Sequence, residues 1–300
     1  MLSSVYGGQI LQIYHNETIT KHHGKHKRII MAAINKQNMV VHFKLITLIL
    51  CLNAVYSFVY AQNDTTSYST VIWNKIEAIS PTIVTLPNSF DSTKSHTLVI
   101  GLHGFSSTAE YFQSFSKPFT DAGFIFATPE APYSYLRNDG TIGYEWFLYD
   151  ISSYIMLERP ASELEISAMR VTTEKQMDKV IEDLKAHYNI GEVYFAGMSQ
   201  GGIITYLSGI HHHDKINGMI IFGSVVDEDW LGTDDIQDGK GVRTLIIQGE
   251  KDTAVPFKYA EAARDLLINN GYEVTYKTFD GGHIVPQHLL PFVIDWINQK

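Results

Sequence analysis

An α/β fold, with a mainly parallel central sheet and helices on both faces, is predicted by three features of this 300-residue sequence. Short, continuous apolar runs recur along it, segments of helical periodicity lie between them, and after residue 62 there is no internal repeat, long charge run or Pro/Ser-rich linker. Runs that are apolar at every position are those of strands buried on both faces. Alternation of such strands with helices gives a parallel sheet. The lack of linkers predicts a single domain over residues 62–300.

The first 61 residues stand apart. Residues 1–38 are basic, rich in His and aperiodic, and they precede Met39, from which a conventional signal sequence starts; they are set aside from the fold. Lys44 is followed by Leu45-Ile46-Thr47-Leu48-Ile49-Leu50-Cys51-Leu52 and then by Val59-Tyr60-Ala61, the pattern of a secretory signal peptide cleaved after Ala61. A membrane anchor is the rival, but Asn53 and Ser57 interrupt an apolar core already short for a bilayer. Leu50, bulky where a small residue is wanted, argues against lipidation of Cys51. The expectation is a secreted or periplasmic protein with no stable membrane anchor.

Six of the 23 Lys and Arg and one of the 32 Asp and Glu lie in those 61 residues, so the remaining 239 carry a net charge of −14. That balance argues against nucleic acid as a partner. The one cysteine leaves with the signal. The exported chain then has no disulfide and must be held by its core, for which it is long enough.

In chain order, strands are expected at Thr97–Leu102, Phe124–Ala127, Val193–Ala196, Met219–Phe222 and Thr244–Ile247, with Tyr272–Thr278 alternating like a final strand. Met177, Val180, Ile181, Leu184 and Tyr188 recur at helical spacing behind Thr173, and Gln176 three residues after it suggests a capping box. A second helix is expected from Phe257 to Asn269, with Pro256 at its start and Gly271 just past its end. Residues 132–170 fit neither pattern. This long aromatic loop carries Tyr133, Tyr135, Tyr144, Trp146, Phe147, Tyr149 and Tyr154, and reads equally as a binding loop or lid and as extra core.

"GMSQGG", residues 197–202, sets Ser199 between glycines behind the apolar Val193–Ala196. A Gly-x-Ser-x-Gly match arises by chance about once in ten chains of this length, so its context decides. Here a buried strand precedes it and the helical Gly202–Leu207 follows, as a turn lifting a nucleophilic serine requires. The glycines relieve clashes at so tight a turn. The backbone N–H of Gln200, at the head of the next helix, is then one candidate oxyanion donor.

A serine hydroxyl needs a base to take its proton and an acid to orient that base. Both are expected downstream, acid first. Thr244–Ile247 runs into Gln248-Gly249-Glu250-Lys251-Asp252, delivering Asp252 to the carboxyl end of a strand, and Asp280-Gly281-Gly282-His283 places His283 at the end of the next. Glu250 and Asp280 are rival acids, both read more simply as solvated turn residues. His211-His212-His213 with Asp214 suggests a metal cluster, but successive residues point apart and a solvated helix end is the plainer reading. His187 and His288 are expected on helix surfaces. No metal or organic cofactor is implied.

The second oxyanion donor should come from the loop after the early strand. "GLHGF", residues 101–105, begins there, and Gly104 lets the chain turn so that the N–H of Phe105 faces the oxyanion. His103 precedes the nucleophile, so it is read as a brace for this loop and not as the base.

"LHGF", "GMSQGG", "GEKDTAVPF" and "GGH" together resemble the α/β-hydrolase fold, in particular its phospholipase/carboxylesterase branch, which includes acyl-protein thioesterases. The resemblance spans about residues 95–298. It implies Ser199 as nucleophile, Asp252 and His283 as its partners, and Phe105 and Gln200 as oxyanion amides. "EWFLYD", residues 145–150, is similar to the branch's Trp-Phe-Asp segment near the acyl pocket, with two residues inserted before the aspartate. By that resemblance Trp146, Phe147 and Met198 contact substrate. After His103-Gly104 the branch's thioesterases continue with glycine and aspartate, whereas this chain has Phe105-Ser106-Ser107-Thr108, which bears on acyl preference.

The expectation is a serine hydrolase acting on small carboxylic esters. A carbohydrate-directed acetyl or feruloyl esterase is the runner-up, peptidase activity a weaker option, and a non-catalytic binding module the reading from a different class.

Overall fold

The computed structural model describes residues 80–147, 163–226, 231 and 233–299, all within one compact unit, Ile76–Lys300. The start at Met39, the signal ending at Ala61, and Tyr149, Asp150 and Tyr154 lie outside the described residues.

Among the described residues seven strands form the central sheet: β1 (Thr82–Thr85), β2 (His96–Leu102), β3 (Ile125–Pro129), β6 (Ile190–Met198), β7 (Gly218–Phe222), β8 (Arg243–Gly249) and β9 (Val274–Phe279). Their order is β1-β3-β2-β6-β7-β8-β9. Only β1 runs antiparallel to its neighbour. The continuous apolar runs have the cause expected of them. Along β2, Leu98, Ile100 and Leu102 enter one core while Val99 enters the other, and β6 divides Val193 and Phe195 from Tyr194 and Ala196 in the same way. With both faces covered, the central strands are almost wholly apolar, and the few polar side chains among them, such as Thr128, Thr244 and Gln248, are fully buried.

One face is covered by α3 (Glu163–His187), α4 (Gln200–His211) and α6 (Phe257–Asn269), through Ile181, Ile203, Tyr206 and Ala263 among others. Against the other lie α1 (Ala109–Gln113), α2 (Ser116–Asp121) and α7 (Leu290–Asn298), through Phe112, Phe119, Val293 and Trp296. A further short helix, α5 (Thr233–Asp238), follows β7. Helix α6 has the bounds expected from Pro256 and Gly271: Gly271 takes φ +86°, and the Tyr272 N–H reaches back to the Leu267 carbonyl at 3.1 Å.

Two expectations need correction. Thr173 does not cap a helix, because α3 begins ten residues earlier; Thr173 is buried mid-helix and turns its hydroxyl to the Arg170 carbonyl, the usual outlet for a threonine inside a helix. Gln176 instead donates to the Glu130 carbonyl at 2.8 Å, tying α3 to the end of β3. The aromatic stretch 132–170 is likewise not all loop. Its first part is a hairpin of β4 (Tyr133–Leu136) and β5 (Ile142–Glu145), and its last residues belong to α3. Among the described residues no helix is long and apolar enough to cross a membrane.

Candidate active site

The carboxyl ends of β2, β6, β7, β8 and β9 lie along one edge of the sheet, and the loops leaving them build the site. Ser199 stands between β6 and α4 with φ 56° and ψ −119°, a region L-residues avoid at a cost of about 1–3 kcal/mol. The surroundings hold it there. Its N–H bonds the Phe222 carbonyl at 3.0 Å, prolonging the ladder to β7, while its carbonyl accepts the Ser224 hydroxyl at 2.6 Å and the N–H groups of Gly202 and Ile203. Glycine is required at 201 because a Cβ there would overlap the carbonyl oxygens of Leu102 and His103. Helix α4 can therefore start directly beneath the end of β2.

Asp252 and His283 meet because their turns are laced together. The N–H of Glu250 bonds the Phe279 carbonyl at 3.0 Å and that of Lys251 bonds the Gly281 carbonyl at 2.8 Å. Asp252 Oδ2 then lies 2.7 Å from His283 Nδ1, and Oδ1 accepts the N–H groups of Ala254 and Val255 at 2.9 and 2.8 Å. Gln248 Nε2 approaches Oδ2 at 3.3 Å. A carboxylate so held accepts the Nδ1–H and leaves Nε2 of His283 bare. The rival acids sit on the surface, Glu250 with the Thr278 hydroxyl and Asp280 with Lys251.

Ser199 and His283 share the wall of a cavity of about 1040 Å³ with Phe105, Met198 and Gln200. Its other side is apolar, formed by Tyr111, Phe112 and Phe115 from α1 and the loop after it, and by Ile284 and Val285. Phe105 lies in the turn closed by the Ser107 N–H on the Gly104 carbonyl at 3.2 Å. Next to it, a Cβ on Gly104 would come 3.4 Å from the Ser199 Cβ, so this loop passes against the serine. Gln200 is buried at the head of α4, where the first N–H groups have no partner within the helix.

His103 is fully buried and serves as the expected brace. Its Nδ1–H donates to the Gly104 carbonyl at 2.9 Å, and Nε2 accepts the Ala131 N–H at 3.1 Å beside Glu130. Glu130 also takes the N–H of Ala109 at 2.9 Å.

Trp146 and Phe147 are not where the resemblance implied. Both are fully buried and neither lines the cavity. The Trp146 N–H bonds Gln200 Oε1 and its indole N–H bonds the His103 carbonyl, both at 2.8 Å. With both donors satisfied internally, this residue braces the site from behind.

The histidine run is not wholly a solvated helix end. His211 and His213 are exposed, but His212 turns inward, donating from Nδ1 to the Ser208 carbonyl at 2.7 Å, with Asp178 3.0 Å from Nε2. Burial pushes its pKa down, against the pull of the Ser208 and Asp178 contacts. Among the described residues no group of three or more His, Cys, Asp or Glu side chains is placed to hold a metal ion. His187 is exposed at the end of α3, and His288 is exposed on a short 3₁₀ helix, where it also lines the cavity.

Several site residues were missed from the sequence. Gly223, with φ +50°, passes so close that a Cβ would sit 3.1 Å from Asp252 Oδ2 and 3.2 Å from His283 Nδ1. Glycine dipeptides and motifs signal turns, but nothing near Gly223 marks its contact with residues 29 and 60 positions away in sequence.

This architecture, a mainly parallel sheet with a serine on a strand-to-helix turn, is that of an α/β-hydrolase. Superposition on the crystal structure of esterase PE8 gives a TM-score of 0.58 over 75% of this chain and 99% of that one, at 22% identity. The crystal structure of SOBER1 from Arabidopsis thaliana gives a TM-score of 0.54 over 68% of this chain and 99% of that one, at 19% identity. The phospholipase/carboxylesterase family matches residues 89–300, and the chain belongs to that family. In sequence it is 25% identical to a probable carboxylesterase SOBER1-like of Arabidopsis thaliana over 215 residues, 69% of this chain and 79% of the relative. It is 24% identical to acyl-protein thioesterase 1 of Gibberella zeae over 220 residues, 68% and 91%. The protein is an ester hydrolase.

Replacing Gly223 with Ala should push the Asp252–His283 pair apart and strain the backbone at φ +50°. Ester turnover is expected to fall about 100-fold and stability by about 1–2 kcal/mol. Steady-state kinetics with thermal unfolding checks both, and wild-type kcat in G223A would contradict the geometry's importance.

Proposed function

We propose that the protein is an exported serine hydrolase that cleaves carboxylic esters through Ser199, His283 and Asp252 and an acyl-enzyme intermediate. The observation that carries this reading is the 2.7 Å Asp252–His283 contact, with Asp252 locked by two backbone amides and His283 opening onto the cavity that Ser199 also faces.

Ser199 Oγ attacks the ester carbonyl carbon while His283 Nε2 takes its proton. Asp252 holds the tautomer with the proton on Nδ1 and stabilises the imidazolium that forms. The carbonyl oxygen becomes an oxyanion, which the N–H groups of Phe105 and Gln200 receive. As the C–O bond breaks, His283 returns its proton to the leaving alcohol. Water, deprotonated by the same imidazole, then attacks the acyl carbon, and Ser199 leaves with the proton restored. The net change is ester plus water to acid plus alcohol, using only these side chains and amides.

The apolar wall of Tyr111, Phe112, Phe115 and Val285 suits the hydrocarbon part of such a substrate. A carbohydrate-directed esterase loses part of its basis, since Trp146 and Phe147 are turned inward and unavailable to stack on a sugar. The relatives include a probable carboxylesterase and an acyl-protein thioesterase, in keeping with an acyl group, held in an ester or a thioester, as what is cleaved from its carrier.

Ser199→Ala is expected to lower kcat on a short p-nitrophenyl ester by about 10⁴-fold or more and to abolish labelling by a fluorophosphonate. Full turnover in S199A, or a folded wild-type protein that the probe does not label, would contradict the reading, and the latter would favour a binding module.

The export part of the proposal rests on residues 39–61 alone. A chain begun at Met39 in a secreting host should be recovered outside the cytoplasm with Gln62 as its first residue. Amino-terminal sequencing that finds Met39 on cytoplasmic material would contradict it.

A further inference from the structure

The loop from His103 to Ser107 is one of the places where the chain departs from the resemblance, and its geometry is unusual. Ser106 takes φ +58°, and besides Ser199 it is the only non-glycine residue with positive φ among the described residues. A serine without support relaxes out of this region, since its Cβ crowds the neighbouring peptides. Relaxation would re-aim the peptide that joins Phe105 to Ser106 and, through Phe105, disturb the preceding Gly104–Phe105 peptide, which carries the Phe105 N–H.

The support comes from the β4–β5 hairpin, on three successive residues. Tyr135 sets its ring edge-on against Phe105, with centroids 4.7 Å apart. Arg137 Nε donates to the Ser106 carbonyl at 2.7 Å and approaches the Ser106 hydroxyl at 3.3 Å, and Nη2 donates to the same carbonyl. The Tyr144 N–H donates to the Ser107 carbonyl at 2.8 Å. Gly143 leaves room for this approach, because a Cβ there would overlap the Ser106 carbonyl.

Arg137 is itself fixed. Its Nη1 donates to the Thr141 hydroxyl at 3.1 Å, and that hydroxyl donates to Asp139 at 2.7 Å, all within the hairpin turn. Arg137 is not among the residues that line the cavity. Two N–H groups of a planar cation on one carbonyl form a strong, directional anchor, of a kind that a lysine's single rotating ammonium does not reproduce.

We infer that Arg137 is a positioning residue for ester hydrolysis: its fork on the Ser106 carbonyl holds the loop in the left-handed conformation that aims the Phe105 N–H at the oxyanion. The inference rests on the proposed role of Phe105 and Ser199. It assigns to the hairpin, a part of the chain remote from the Gly-x-Ser-x-Gly turn, control over transition-state stabilisation.

The test is Arg137→Met, which keeps the stem and removes the fork. Removing an oxyanion donor outright costs about 10²–10³-fold in kcat, and a misaimed donor is expected to cost about 10–100-fold. KM should change less than about twofold, since the transition state alone uses the donor fully. Affinity for a boronic acid, whose tetrahedral adduct on Ser199 mimics the intermediate, should fall with kcat. Adding Ser106→Gly should recover most of both losses, because glycine holds φ +58° without strain. A defect of general stability would not respond in that way.

Wild-type kcat in R137M, or a raised KM with kcat kept, overturns the inference. So does a loss that S106G leaves unrepaired. Should R137M fail to fold, Arg137→Lys, which keeps the charge without the fork, carries the same test with the same outcomes. The two readings separate cleanly: a wild-type protein that neither turns over ester nor labels at Ser199 sinks the proposed function and this inference with it, whereas an active, labelled wild type with an equally active R137M sinks this inference alone.

Discussion

Ser199 is held at φ 56° and ψ −119° by bonds from the end of the neighbouring strand β7 and from its own helix, and the site depends on that enforced turn. Only this conformation ends β6 and begins α4 within one residue. It directs the serine outward while the following N–H groups converge at the helix head, where the peptide dipoles favour negative charge. The cost of about 1–3 kcal/mol for such a residue is small beside a core with two filled faces, and it is stored where the proposed chemistry needs a rigid nucleophile. Gly201 and Gly197 are the concessions the rest of the chain makes, each lacking a Cβ where another stretch of backbone passes close.

Around this turn the remaining parts arrive from different strands and are tied to each other and not merely to the sheet. The loops after β8 and β9 share backbone hydrogen bonds, which is how residues 31 apart in sequence bring Asp252 against His283. Behind the serine, Gln200, Trp146 and His103 form a chain of bonds that links the head of α4 to the loop after β2. The hairpin then fastens that loop from its outer side. Each element of the site thus has its orientation set by a second element, and substitutions behind the cavity are able to alter events inside it.

What the sequence made legible followed from strong local rules. Continuous apolar runs identify β2, β3, β6, β7 and β8 because burial on both faces favours apolar residues at successive positions, and Pro256 and Gly271 bracket α6 because each has a backbone reason to be there. Asp252 and His283 could be found because parallel strands deliver the residues that follow them to one edge. The rest depended on contacts between distant segments. α1 and α2 have five and six residues, too few to show a helical period, and β1 is a half-exposed edge strand. Thr173 and Gln176 imitate a cap, yet α3 continues through them. Trp146 lies in the expected motif but spends both its N–H groups on Gln200 and His103, and no composition rule tells an aromatic that braces a site from one that lines it. Gly223 and Arg137 carry no motif at all.

The most direct test of the central claim, that Ser199, His283 and the amides of Phe105 and Gln200 converge on one point, is a crystal structure of the protein inactivated by a p-nitrophenyl phosphonate. The account predicts phosphorus bonded to Ser199 Oγ, the phosphoryl oxygen about 3 Å from both N–H groups, and His283 Nε2 beside the ester oxygen. Phosphorus on another residue, or a phosphoryl oxygen turned away from both amides, would contradict it.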